Sequence, residues 1–488
     1  MTHERKLRHF AAPVSVAAVL AATFLACAIN PVTHKTEFSL VSADQEIAMG
    51  RDADRQVIAT MGLYDDPKIQ DDVAVLGRKL AAKSERPNLP WTFRIVDDPV
   101  VNAFAVPGGF VYVTRGLMTH LNSEAELVAV LGHEIGHVTA KHGVTQMSRA
   151  QLAQLGLGVG SMLDPRVERA ADALSQGIGL LFLKFSRDDE RQADDLGLRY
   201  LVNAGYDPRP MADVFDALAR VSAAEGTGRI PKWLSTHPDP GDRRAWATAK
   251  VASMGQNFDN AAIGRESYLA LIDGMTFGDD PRNGYFKGDT FIQPTMKFRL
   301  DFPTGWTKAN QTDSVFAASP GDDAAIRLSI AAGDSPDAAA DAFFSQQQGI
   351  TAGTSQRGNV QGLQVVTREF TAPSEQTPMS GVAHFVSLDE RIYLILGFAT
   401  DAGWGAQRQS IGRVLASFQR VTDPKLLAVT PWKIALVTTT QALTPEQFAL
   451  KYPCPTSAGT LALVNRLDSS GRIPAGPGAK RIVGDKLP

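Results

Sequence analysis

Apolar residues recur at helical spacing among charged ones from Ala43 to about Met61, and again from about Pro67 to Ser84, which predicts two amphipathic helices. Trp91 to Val96 alternates like a half-buried strand, and Gly108-Gly109 leads into the β-forming run Phe110-Val111-Tyr112-Val113-Thr114, so a small sheet follows the helices. Ser123, with Glu126 three positions later, has the form of a capping box. It opens the periodic run Leu127, Val128, Val130, Leu131, Ile135, Val138, which predicts a helix closing at Gly143. The apolar, glycine-rich stretch from Leu152 to Met162 is too short to span a bilayer, which takes about 20 apolar residues, and reads equally as a loop, a membrane-dipping lip or a buried helix. A further helix is expected from Ser186 to Asn203, stopped by Ala204-Gly205-Tyr206-Asp207-Pro208.

Beyond about Gly278 the texture changes to strand-like segments, among them Phe298 to Phe302, Ala325 to Ile330 and Ile392 to Phe398, which predicts a separate α+β domain over 279–422. Residues 430–488 read as a small C-terminal unit, with Pro431 to Thr438 strand-like and Pro445 to Lys451 helix-like. No internal repeat is evident in the chain.

At 488 residues, 44% hydrophobic and 21% charged, the composition is that of a multi-domain globular protein. The net charge of -3, from 49 basic and 52 acidic residues without long runs of either sign, gives no electrostatic footprint for nucleic acid. Arg5, Lys6 and Arg8 precede an apolar stretch from Ala11 to Ala26 that ends at Cys27, the pattern of a signal peptide over 1–27. Thr23-Phe24-Leu25-Ala26-Cys27 resembles a bacterial lipobox, so lipidation of Cys27 is expected; ordinary signal-peptidase cleavage near Ala26 or Ala28 is the alternative. With only two cysteines, no disulfide framework stabilises the fold.

The chemistry enters at His133-Glu134-Ile135-Gly136-His137, inside the capped helix. Two imidazoles four residues apart project from one helix face about 6 Å apart, suited to one tetrahedral zinc ion. Glu134, beside the first, is placed to take a proton from a water acidified by the metal and pass it to a leaving amine. A catalytic zinc needs a third protein ligand. His142 fails the metzincin spacing, which puts that ligand where Gly143 stands, and reads as a surface histidine near a helix C-terminus. Glu190 is the other candidate, with Asp194 one turn later able to orient an imidazole; on spacing alone the charged run Arg187 to Arg191 fits a solvated helix face as well.

Taken together, these motifs resemble the gluzincin peptidases typified by the CAAX prenyl protease and the HtpX heat-shock protease, in particular their exported, lipoprotein-like bacterial branch. Glu190-Arg191-Gln192-Ala193-Asp194 matches the family's E-x-x-A-D segment, which makes Glu190 the third ligand of one Zn²⁺ per chain. Asn102 to Gly109, followed by Val111 to Thr114, is similar to the family's cleft-lining edge strand, so Gly109, Phe110, Val111 and Tyr112 are expected to pair with an extended substrate. Ser235-Thr236-His237-Pro238 and Arg243 resemble the S-T-H-P segment and its later arginine. The resemblance implies that His237 and Arg243 stabilise the oxyanion, or that His237 approaches the metal and keeps the enzyme latent. Asn30-Pro31-Val32-Thr33 looks like the start of the lipoprotein members.

The resemblance covers about Asn30 to Gly278 and implies a mainly α zincin-type peptidase domain with a small β-sheet over 28–278, followed by the α+β accessory domain and the C-terminal unit. It implies an endopeptidase that faces the periplasm from a lipid anchor and cleaves misfolded or unassembled envelope proteins. The alternative is a latent or non-catalytic zinc-containing chaperone. Pro445 to Val483 resembles a degenerate LysM module, which implies a contact with peptidoglycan. The chain departs from the membrane-integral branches in lacking their long apolar spans, and from the relatives linked to outer-membrane protein assembly in lacking a tetratricopeptide tail.

Overall fold

The computed structural model describes residues 27–154, 185–224, 237, 240–347, 349–373 and 378–485. The expected signal peptide, nearly all of the Leu152 to Met162 stretch, and Ser235, Thr236 and Pro238 lie outside the described residues. Two compact units emerge. One joins the chain up to Gly278 to Lys433–Val483; the other is Asp279–Trp432 with the last residues. Among the described residues no helix is long and apolar enough to cross a membrane.

In the first unit, helices α1 (Ala43–Met61) and α2 (Pro67–Ala81) form where the apolar spacing predicts them. Ser42 and Asp66 cap their first turns. Strands β1 (Thr92–Val96), β2 (Ala103–Val106) and β3 (Phe110–Thr114) make a three-stranded sheet in which β3 is central, parallel to β1 and antiparallel to β2. The expectation of an edge strand at Gly109 to Tyr112 is therefore corrected. Gly108 and Gly109, at φ 85° and 100°, reverse the chain after β2, and the returning strand is sealed on both sides. Among the described residues the edges are Thr92–Val96 and, one strand earlier than expected, Ala103–Val106.

Helix α3 (Glu124–Thr139) starts on Ser123, whose hydroxyl accepts the Glu126 N–H at 3.2 Å. Glu126 reaches back one residue further than a capping box would, accepting the Asn122 N–H at 2.6 Å. The helix ends before the predicted Gly143, because Lys141 itself adopts the left-handed conformation at φ 59°. Helix α4 (His142–Gln154) starts immediately beyond that reversal. The Asn30 amide closes the C-terminal end of α3, donating to Ala140 O at 3.0 Å while its own oxygen accepts the Val32 and Thr33 N–H groups.

Helix α5 (Arg187–Asn203) has a full capping box between Ser186 and Asp189 and lies against α3. The two backbones nearly touch: a Cβ built on Gly136 would come 3.0 Å from Ala193 O, and one on Gly197 would come 2.8 Å from His133 N. Helices α6 (Pro210–Ala224) and α7 (Pro240–Ser253) complete the layer. On the other side of α3, the buried Arg86 forks onto Glu46 with two 2.8 Å bonds and donates to Val138 O at 2.9 Å, joining α1 to the end of α3.

The C-terminal segment folds as strand Trp432–Thr439, helices Pro445–Lys451 and Ala458–Val464, and strand Gly476–Val483. From Lys433 to Val483 it clusters with the first unit instead of standing apart. Lys480, fully buried, extends its ammonium to Thr119 O and Leu121 O just ahead of α3, and Arg466 pairs with Asp213 on α6 at 2.6 Å.

The second unit is α+β. An eight-stranded antiparallel sheet includes the long strands Met379–Leu388 and Arg391–Thr400; helices Pro336–Ser345 and Asp401–Ser417 pack on it, and a four-stranded sheet adjoins. Its core contains Phe291, Phe298, Trp306, Ile326, Tyr393 and Phe418. His384 is buried in this unit, its Nδ1 at 2.7 Å from Thr367 Oγ1 and its Nε2 without a partner among the described residues.

Gly197→Ala is expected to destabilise the first unit. The clash costs about 1–3 kcal/mol, above the ~1 kcal/mol that alanine gains in helix propensity; a lowered urea midpoint checks this. The second unit is expected to lose stability in acid. Burial lowers the His384 pKa to about 4, so between pH 6.5 and 4 the unfolded chain binds more protons than the folded one and stability drops as pH falls. The loss reaches about 3 kcal/mol, and pH-dependent unfolding of wild type against His384→Gln measures it.

Candidate metal centre

The ligand atoms of His133, His137, Glu190 and His237 all lie within 4.8 Å of one another. Two come from adjacent turns of α3, one from the first turn of α5, and His237 from just ahead of α7. The glycine contacts between α3 and α5 let a carboxylate side chain on one helix reach imidazoles on the other. His133 Nε2 and His137 Nε2 face each other at 3.0 Å, and Glu190 lies 3.6 Å from the first and 3.5 Å from the second. His237 Nδ1 sits 2.8 Å from Glu190 Oε1 and 3.4 Å from His133 Nε2. None of the four side chains is more than about 3% exposed.

Imidazole nitrogens and a carboxylate oxygen converging in a dry site would repel or go unmet without a cation, and this donor set suits zinc. Glu134 adds to the case. Its Oε1 is buried and has no hydrogen-bond partner among the described residues, 3.7 Å from His237 Nε2, so a carboxylate oxygen is held ready beside the donors. Burial pushes the Glu134 carboxyl up, against the pull of His237 and His133. At Glu190 the balance is reversed: burial would raise it, but His237, His137 and His133 together hold it well below the usual carboxylate range.

The surrounding groups orient the ligands. Asp194 Oδ1 lies 2.9 Å from His133 Nδ1, which leaves Nε2 free of its proton to face the site. Arg243 clamps Asp194 with bonds of 2.8 and 2.6 Å, extends Nη1 to 3.0 Å from Glu190 Oε2, and stacks over Phe215. Its guanidinium thus faces Asp194, Glu190 and, at 3.2 Å from Nη2, His133 Nδ1, a placement that suits a residue positioning the donors as well as the expected oxyanion role.

His142 differs from its sequence reading as well. It is buried, not a surface group, with Nδ1 2.9 Å from His137 Nδ1. The early turn at Lys141 folds α4 back and brings it there, and a spacing rule for direct ligands has no means of registering a partner to a ligand. Phe185 stacks on the His137 ring at 4.0 Å between centroids. With Ala105, Val106, Lys141 and Val144 it borders a groove of about 250 Å³ that runs from the β2 edge to His137.

Residues 67–250 match Peptidase family M48. The chain is 30% identical to the beta-barrel assembly-enhancing protease of Yersinia pestis over 254 residues, 50% of this chain and 51% of that one. It is 35% identical to the mitochondrial metalloendopeptidase OMA1 of Arabidopsis thaliana over 195 residues, 39% of this chain and 38% of the relative. The match to the beta-barrel assembly-enhancing protease of Escherichia coli K12 is 30% over 224 residues, 44% of this chain and 46% of the relative. The chain thus spans about half the length, or less, of these relatives. The His133, His137 and Glu190 donors and the Glu134 carboxylate all lie inside residues 67–250, the segment that is similar to Peptidase family M48.

Proposed function

We propose that the protein is a zinc-dependent endopeptidase that cleaves misfolded or unassembled proteins of the bacterial envelope, facing the periplasm from a lipid at Cys27. The observation that carries the reading is the buried Glu134 Oε1, without a hydrogen-bond partner among the described residues, beside converging imidazole and carboxylate donors. The printed names of the relatives, a protease that enhances β-barrel assembly among them, support the substrate class.

His133, His137 and Glu190 would hold a zinc ion, which would supply Lewis acidity for the scissile carbonyl and for water. Glu134 takes the proton of the attacking water as the C–O bond forms, and returns it to the amide nitrogen as the C–N bond breaks. Asp194 and Arg243 keep His133 and Glu190 in place throughout. An extended substrate is read by the open edge of Ala103–Val106, whose backbone groups offer pairing that does not depend on sequence and suits unfolded segments. The C-terminal segment, in strand–helix–helix–strand order, supports retaining a peptidoglycan contact within this reading.

His237 places Nδ1 among the metal donors and so competes for the position that water needs, which favours a latent resting form over an oxyanion role. The non-catalytic chaperone reading predicts zinc without turnover in every variant.

Glu134→Gln is expected to lower cleavage of an unfolded reporter protein about 10²–10⁴-fold with bound zinc unchanged, and chelation to abolish cleavage; turnover that survives both treatments would sink the mechanism. His237→Ala is expected to cleave faster than wild type in the same assay. A slower variant that retains zinc would restore His237 to a catalytic role.

A further inference from the structure

The two α3 histidines are oriented by different means. His133 meets a carboxylate directly, whereas His137 meets a second imidazole, His142, at 2.9 Å between their Nδ1 atoms. Two imidazole nitrogens at that distance share one proton, so one donates and the other accepts. The far side of the His142 ring indicates which. Its Nε2 lies 2.8 Å from Gln192 Oε1 and 3.7 Å from Asp189 Oδ1, both on α5. Asp189 offers only acceptors, so the proton of His142 belongs on Nε2, and Nδ1 presents a lone pair to His137.

We infer that His142 is a positioning residue that fixes the tautomer of His137: Gln192 and Asp189 draw the His142 proton to Nε2, His142 Nδ1 accepts from His137 Nδ1–H, and His137 Nε2 is left as a lone pair aimed at the metal. The opposite polarity would place a proton on His137 Nε2, pointing at Glu190 and His133, and would block ligation. The relay uses residues from α4 and α5 to set a ligand on α3, so it also ties the metal to the mutual placement of three helices. It rests on the metallopeptidase reading.

The test compares two replacements of similar size in the full chain. His142→Asn can present its side-chain oxygen near the former Nδ1, while His142→Leu fills comparable space without an acceptor. Zinc affinity is measured by competition with a chromogenic chelator, with unfolding midpoint and near-ultraviolet circular dichroism followed alongside. Removing a partner of a metal-ligating histidine typically weakens binding about 10–100-fold, so His142→Leu is expected to lose affinity in that range and His142→Asn to recover most of it. Equal losses in both variants, or wild-type affinity in a folded His142→Leu, overturn the relay. Should His142→Leu not fold, Gln192→Met removes the outer acceptor and leaves the His142–His137 contact in place; it is expected to weaken zinc several-fold, and an unchanged affinity overturns the proposal. A wild-type chain that binds no zinc would refute the metallopeptidase reading instead.

Discussion

The site depends on how closely two helices approach each other. On α3, Gly132 faces Gly197 of α5 and Gly136 faces Ala193, and a Cβ at any of the three glycines would meet backbone at about 3 Å. Ordinary helix pairs pack about 8–10 Å apart, and side chains at the contact set that separation. Removing those side chains lets Glu190 reach the imidazoles of the neighbouring helix with both backbones rigid. Glycine interrupts helix propensity at a cost of about 1 kcal/mol each, and here the loss is offset by a donor set that flexible loops would hold less firmly.

Much of this arrangement was legible along the chain. Helix α1 begins and ends at the residues that apolar spacing indicates, and α5 runs from its Ser186 cap to Asn203 as expected, because capping and periodicity are local properties. The α+β character of the second unit was visible in its strand-like runs for the same reason. What escaped the sequence depends on distant partners. Phe110–Thr114 reads as a strand from its composition, but nothing local says that β1 will lie parallel to it and make it central. Lys480 contacts carbonyls some 360 positions earlier, and no short-range pattern encodes that contact.

The added role of Arg243 and the reassignment of His142 have a common origin. Motif spacing identifies residues that approach a metal, but it is silent on which atoms of a side chain are already committed. Arg243 reaches the site and there also holds Asp194 and Glu190. His142 misses the ligand position yet contacts a ligand. Around a buried centre the hydrogen-bond partners of the ligands are as confined as the ligands, since every polar atom there must find a match.

The turn built by Asn30 sets the length of a leash. Cys27 stands three positions before Asn30, with only Ala28 and Ile29 between them, and an extended chain covers at most about 3.5 Å per residue. The Cys27 backbone therefore stays within about 11 Å of the Asn30 backbone, and Asn30 is hydrogen-bonded to the C-terminal end of the helix that carries His133 and His137. A surface gripping that cysteine would hold the centre at a nearly constant height above it and limit how deeply a substrate embedded in the surface must be drawn out before it can be cut.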